Sequence, residues 1–187
     1  MNAEALIDEA RFGEDEFLPY WGELWPSGIA LARHVADVDI AGLRVLELGC
    51  GLGLPSLAAA RGGAVVVATD WADDALDLLA GNALRNDLVL GTMHLEWSRP
   101  EPLLALEPFD LVLAADVLYE ERNVMPLVDL LDALRVPALI ADPGRRFAGD
   151  FVAKIRAAGW RVESCVQRAL PRGAVHHLDP RVAEEGA

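Results

Sequence analysis

Residues 45–56 read VLELGCGLGLPS, an apolar run that gives way to Gly49, Gly51 and Gly53. The run sits in LRVLELG (43–49), too continuously apolar for a strand with one wet face. It suits a parallel strand covered on both sides. At the glycines this strand passes into a helix. A backbone without side chains lets a ligand approach closely, and a helix N-terminus offers unpaired N–H groups. The ligand itself stays open at this point. A dinucleotide fingerprint beginning at Gly49 would need glycine or alanine at 54 and meets Leu54; one beginning at Gly51 would need it at 56 and meets Ser56. Glu47 narrows the choice, because a carboxylate there repels a pyrophosphate and welcomes a sulfonium or amino group.

The same rhythm continues outward. GAVVVATD (63–70), FDLVLAAD (109–116) and PALIAD (137–142) are further short apolar runs, each closed by an acid. Helical patterns lie between them. WADDALDLLAGNALRN (71–86) aligns Ala75, Leu76, Leu79, Ala83 and Leu84, with acids in its first turn. EERNVMPLVDLLDAL (120–134) aligns Val124, Leu127, Val128, Leu131 and Leu134, and Pro126 falls early enough to be tolerated. FAGDFVAKIRAAGW (147–160) aligns Phe147, Phe151, Val152 and Ile155, with Gly159 as C-cap. WRVESCVQR and AVHHL flank LPRG (170–173), the pattern of an antiparallel hairpin. The expected fold is therefore an α/β sheet with helices on both faces and an antiparallel C-terminal hairpin. The final RVAEEGA reads as a frayed end.

Composition bounds the remainder. A chain of 187 residues is most simply one domain, large enough to bury roughly 70% of its unfolded surface. No apolar run reaches the ~18 residues of a membrane span. The acidic start, MNAEALIDEARFGEDEF, has no secretory signal pattern. Cys50 and Cys165 are too few for a disulfide framework, which favours reduced thiols and a cytoplasmic setting. The net charge of −14 repels phosphate backbones and attracts cations, so nucleic acid is not expected as a partner. Lys154 is the only lysine among many arginines, a bias that with the abundant alanine points to a GC-rich bacterial genome.

Asp70 closes the second apolar run where an acid accepts hydrogen bonds from ribose hydroxyls; capping the following helix is the plainer role. ELGCGLG (47–53) followed by Asp70 resembles the paired motifs of seven-strand S-adenosylmethionine methyltransferases. PYWGELWPSGIALARHV (19–35), LEW (95–97) and ADVLY (115–119) are similar to the N-terminal W-P-[SG] segment, the L-[DE]-W element and the D-x-x-Y signature of the family 16 group, which includes protein lysine methyltransferases. Within that group, PYW…WPSG, D-x-x-Y and ADPGR (141–145) resemble enzymes acting on the electron-transfer flavoprotein β subunit. The likeness covers residues 19 to about 150.

The resemblance implies a seven-stranded Rossmann-like sheet in one domain, with 1–36 as a lid and 37–187 as the core. It implies S-adenosylmethionine as cofactor and a protein substrate, the flavoprotein β subunit or another cytosolic protein. The cofactor would be met by Trp25, Glu47, Gly49, Cys50, Gly51, Gly53, Asp70, Trp71, Trp97 and Ala115. An indole face attracts a sulfonium by roughly 0.5–2 kcal/mol, while packing over the sheet end is the ordinary account of Trp21 and Trp25. Glu96 is a possible partner for a polar edge of adenine, and Cys50 is otherwise a small buried thiol. Asp116 and Tyr119 would carry the chemistry, recognising the incoming ammonium and holding the amine with its lone pair toward the methyl. Asp142 and Arg145 are either substrate contacts or a simple strand-to-helix turn. His176 and His177 point to opposite faces of a strand, and no metal is expected. A small-molecule N-methyltransferase and an S-adenosylmethionine-binding protein without transfer activity are the competing functions.

Overall fold

The computed structural model describes residues 20–106 and 108–180. The apolar runs form β1 (Arg44–Leu48), β2 (Val65–Asp70), β4 (Leu111–Ala115) and β5 (Ala138–Asp142), and β3 (Gly91–His94) lies outside β2. These five strands are parallel, in the order β3-β2-β1-β4-β5. The hairpin strands β6 (Trp160–Cys165) and β7 (Ala174–Pro180) extend the sheet, with β7 antiparallel to both β5 and β6. β1 and β4 pair directly, Val45 opposite Leu111 and Leu48 opposite Ala114. The chain leaves β1 toward β2 and leaves β4 toward β5, so a crevice opens beyond their carboxyl ends.

Both faces of the sheet are covered, as the apolar runs require. Leu46, Val112, Ala114 and Ile140 pack against α5 (Val124–Leu134) and α6 (Ala148–Ala157). Val45, Leu113, Leu139 and Ala141 point the other way, toward Leu31 and Val35 of α1 (Pro26–Ala36) and Ala59 of α2 (Leu54–Arg61). Helix α3 (Asp73–Arg85) seals the β2 side with Leu76 and Leu79 against Ala68, and a short α4 (Glu101–Leu104) precedes β4. Gly159 follows α6 at φ +91°, the left-handed turn expected of its C-cap.

Three details depart from the sequence reading. Leu84 is 79% exposed, because the buried stripe of α3 runs through Ala75, Leu76, Leu79 and Ala83 and leaves Leu84 on its flank. Residues 26–36, expected within a lid, form a helix of the core layer with Ala30, Leu31 and Val35 buried; only 20–25 pass over the cavity side. Leu134 is partly rather than fully buried at the end of α5. The acidic start, residues 1–19 of the lid and the RVAEEGA end lie outside the described residues. Among the described residues no helix is long and apolar enough to cross a membrane.

Candidate active site

A cavity of about 1150 Å³ opens at the β1–β4 crevice. Its wall contains Trp25, Glu47, Gly49, Cys50, Gly51, Gly53, Asp70, Trp71, Trp97, Ala115, Asp116, Tyr119 and Arg145; Asp142, the other substrate contact considered from the sequence, is not part of it. The sequence spreads these residues from Trp25 to Arg145, and the ends of β1, β2, β4 and β5 bring them together.

The glycine turn forms one wall. Gly49, Gly51 and Gly53 have φ values of +65°, +49° and +70°, in the left-handed region that side chains disfavour. All three are also tight for space, a Cβ on Gly49 falling 3.0 Å from Val117 Cγ1. A Cβ on Gly53 would overlap the Leu79 side chain, and one on Gly51 would lie 3.1 Å from the Trp21 carbonyl oxygen. The N-terminal segment therefore rests directly on the turn. Gly53 N–H closes the turn onto the Cys50 carbonyl at 2.7 Å.

Two buried acids brace this turn from inside. Glu47 accepts the Ser56 N–H at 2.9 Å, satisfying an orphan donor in the first turn of α2. Asp70 accepts the Gly51 N–H at 2.9 Å through Oδ2 and the Ala72 N–H at 3.0 Å through Oδ1. Asp70 is thus an anchor of the glycine turn; it does not cap α3, whose N-cap is Ala72 without a side-chain partner, and it holds Ala72 N–H in a local turn instead. Burial pushes the Glu47 carboxyl up to about 8, and burial likewise raises Asp70, against its backbone hydrogen bonds. The Cys50 thiol is raised by burial, with Glu47 and Asp70 adding to the shift. A wall with two desolvated carboxyl groups and close-approach glycines fits a cation-bearing adenosyl ligand and would reject a pyrophosphate.

Aromatic rings form the rim. A 3₁₀ turn at Tyr20–Gly22 leads to Trp25, whose indole N–H donates to the Tyr20 carbonyl at 2.8 Å. The Tyr20 ring lies 6.4 Å from Trp25 and 6.3 Å from Tyr119, linking the N-terminal segment to the end of β4. Trp97 is half-buried beside Gly49, and Trp71 is exposed at the outer edge. Glu96 is exposed and 4.0 Å from Arg99.

Asp116 is the focus of the opposite wall. It is buried and adopts φ +60°, an uncommon conformation outside glycine that Asp tolerates better than most. Its Oδ2 accepts the Ser27 hydroxyl at 2.8 Å, and its Oδ1 accepts the Arg145 Nε–H at 2.7 Å. Arg145 in turn lies over the Trp25 ring, 5.4 Å from its centroid. Asp142 sets this arginine by accepting the Gly144 and Arg145 N–H groups at 2.7 and 2.8 Å. ADPGR is therefore a strand-to-helix turn and also reaches the site. Tyr119 is 40% exposed on the rim, with its phenol pushed upward by burial.

The hydrogen bonds of Ser27 and Arg145 to Asp116 are features of the site that sequence reading passed over. Ser27 stood inside the quoted WPSG segment, where its inward position one residue after a helix-starting proline was the available signal. Nothing local marks the arginine pairing, since its partners are 29 positions apart.

The family model described as "Lysine methyltransferase" matches residues 11–140. An electron transfer flavoprotein beta subunit lysine methyltransferase of Xenopus laevis is 39% identical over 140 residues, covering 68% of this chain and 53% of the relative. A histone-arginine methyltransferase of the same species is 31% identical over 147 residues, covering 75% and 60%. The chain spans about half the length of the flavoprotein-modifying relatives it matches. Among solved structures, a ribosomal protein L11 methylase from Lactobacillus delbrueckii subsp. bulgaricus superposes with TM-score 0.64 at 18% identity, covering 81% of this chain and 77% of that one. The seven-strand sheet with its antiparallel end is the methyltransferase fold expected from the motifs.

Proposed function

The chain belongs to the lysine methyltransferase family, and on that premise we propose that it transfers the methyl group of S-adenosylmethionine to a lysine of a protein. The carrying observation is a buried carboxylate in a left-handed backbone conformation, Asp116, facing the same cavity as the glycine turn, Trp25 and Tyr119. Bound S-adenosylmethionine supplies a methyl activated by a sulfonium: a nitrogen lone pair forms the N–C bond while the C–S electron pair stays on sulfur.

The chain's own residues do the rest. Gly49, Gly51 and Gly53 admit the donor to the N-terminus of α2, and Glu47 and Asp70 balance its positive charge. Trp25, Trp97 and Trp71 would hold it with their rings, and Cys50 and Ala115 would leave room for it. Asp116 accepts an N–H of the acceptor amine, turning the lone pair toward the methyl, and Tyr119 bounds the acceptor from the rim. The proton lost from nitrogen leaves to solvent. The module comprises residues 1–187, with residues 20–25 passing over the cavity of a core that already includes α1. The relatives that methylate the electron-transfer flavoprotein β subunit make that protein the first acceptor to test. The bias toward arginine and the small number of cysteines support a bacterial, cytosolic setting as part of this reading.

Incubating the protein with methyl-labelled S-adenosylmethionine, purified flavoprotein β subunit and a bacterial lysate tests this reading. Label on a lysine of a protein band is expected. Label confined to small molecules would make the chain a metabolite methyltransferase instead, and tight donor binding without transfer would make it a binding protein. Asp116→Asn is expected to lower transfer at least 100-fold while holding donor affinity within a few-fold by calorimetry.

A further inference from the structure

Arg145 sits where a lysine ammonium would be expected. A carboxylate and an indole face are the two groups that attract such a cation, and the guanidinium already holds both, 2.7 Å from Asp116 Oδ1 and 5.4 Å from the Trp25 centroid. It is not a stray surface contact. Its backbone N–H is tied to Asp142, Gly144 before it has φ +94°, and the Asp116 side chain it meets is only 5% exposed. An arginine stays charged throughout the accessible pH range, and its hydrogen bond to Asp116 raises it further.

We propose that Arg145 balances the Asp116 carboxylate so that the acceptor subsite holds an uncharged amine rather than an ammonium ion. The inference rests on Asp116 facing the acceptor, as proposed above, and it assigns Arg145 a positioning role for that reaction. A lone carboxylate would bind ammonium strongly and keep it protonated, leaving no lone pair to accept a methyl. A carboxylate already paired with a guanidinium gives little net attraction to a second cation, yet an oxygen lone pair still accepts a neutral N–H. The other ionisable groups around the pair do not supply this balance. Asp142 acts on both members from β5, with His176 behind it. Tyr119, Glu120 and Arg122 line the same cavity beyond the end of β4, and Glu47 and Asp70 line the donor side. The bases among them are His176, whose imidazole burial drives toward the neutral form, and Arg122, whose charge is already paired with Glu120.

The test compares the full chain with Arg145→Gln, using n-butylamine as a lysine side-chain probe and tryptophan fluorescence as readout. At pH 7 the variant is expected to bind butylamine about tenfold more tightly. The gap narrows as pH approaches the amine's own pKa near 10.4. Glu47 titrates in this window in both proteins, so the affinity ratio at each pH isolates Arg145. Arg145→Lys, which keeps the charge, should follow the wild type. Arg145→Met carries the same expectation as Gln if the latter fails to fold. With the flavoprotein β subunit as acceptor, Arg145→Gln should lower both KM and kcat at pH 7, with kcat recovering toward pH 9. Equal butylamine affinities, or no binding by either protein, would overturn the inference, as would a fall in kcat without alkaline recovery. Absence of transfer by the wild type, alongside the expected butylamine contrast, would reject the flavoprotein reading and leave the charge balance standing.

Discussion

Glu47 carries an acid where water does not reach, at 1% exposure and with its pKa pushed up to about 8. The folded state therefore holds a proton that the unfolded chain releases near 4.3. The stabilisation from that proton is full below this value and is lost as pH rises to about 8. Denaturant midpoints should fall between pH 5.5 and 8, and Glu47→Gln should flatten the fall. A cationic donor beside the carboxyl would draw its pKa down, so binding at pH 7 should release a proton. Calorimetry in phosphate and in Tris should then give different heats, with the difference shrinking in Glu47→Gln. The overhead indole has its own test, since Trp25→Ala should weaken donor binding by roughly 1–2 kcal/mol. Not every residue was so readable. Glu47 announced itself by preceding the glycines, whereas Ser27 and Arg145 reach Asp116 only through tertiary packing, across 89 and 29 positions. A motif shows which side chain stands at a strand end and is silent on what arrives from elsewhere to meet it.

At the scale of elements, the glycine turn and α3 are one mechanical unit, because Gly53 leaves space that Leu79 fills. Gly53→Ala would add left-handed strain and a steric overlap, expected to cost about 2–4 kcal/mol of stability in denaturant unfolding. Leu79→Ala should be less damaging in that background than alone, since the overlap has gone. The elements were legible in proportion to how apolar they are. β1, β2, β4 and β5 stand out because helices cover both of their faces. β3 is an edge strand whose residues are exposed apart from Met93, and its GTMH carries no such run. The N-terminal segment was read as one lid to residue 36, whereas SGIALARHV lies in a helix with a buried face and the aromatic residues just before it line the cavity.

For the whole molecule, the strand–helix alternation sufficed for a parallel sheet with an antiparallel tail. The strand order was not legible in the sequence, because periodicity records burial and not neighbours. The order matters because it puts the ends of β1 and β4 side by side, and with them the donor wall and Asp116. The net charge of −14 acts at the same scale. A basic segment around a target lysine would be steered toward this surface, so raising salt from 50 to 500 mM should lower kcat/KM several-fold with little effect on kcat. Donor at about 1,000 times its Kd should stabilise the fold by roughly 4 kcal/mol. In a melting scan that is on the order of 10 °C for a chain of this size.

The left-handed backbone at Asp116 has a genetic consequence. Few residues other than asparagine and glycine sit comfortably at φ +60°, and aspartate and asparagine codons differ by a single base. A duplicated copy released from selection would thus find its easiest retirement in that exchange. It would keep sheet, cavity and donor while falling chemically silent, a shape conserved with its purpose removed.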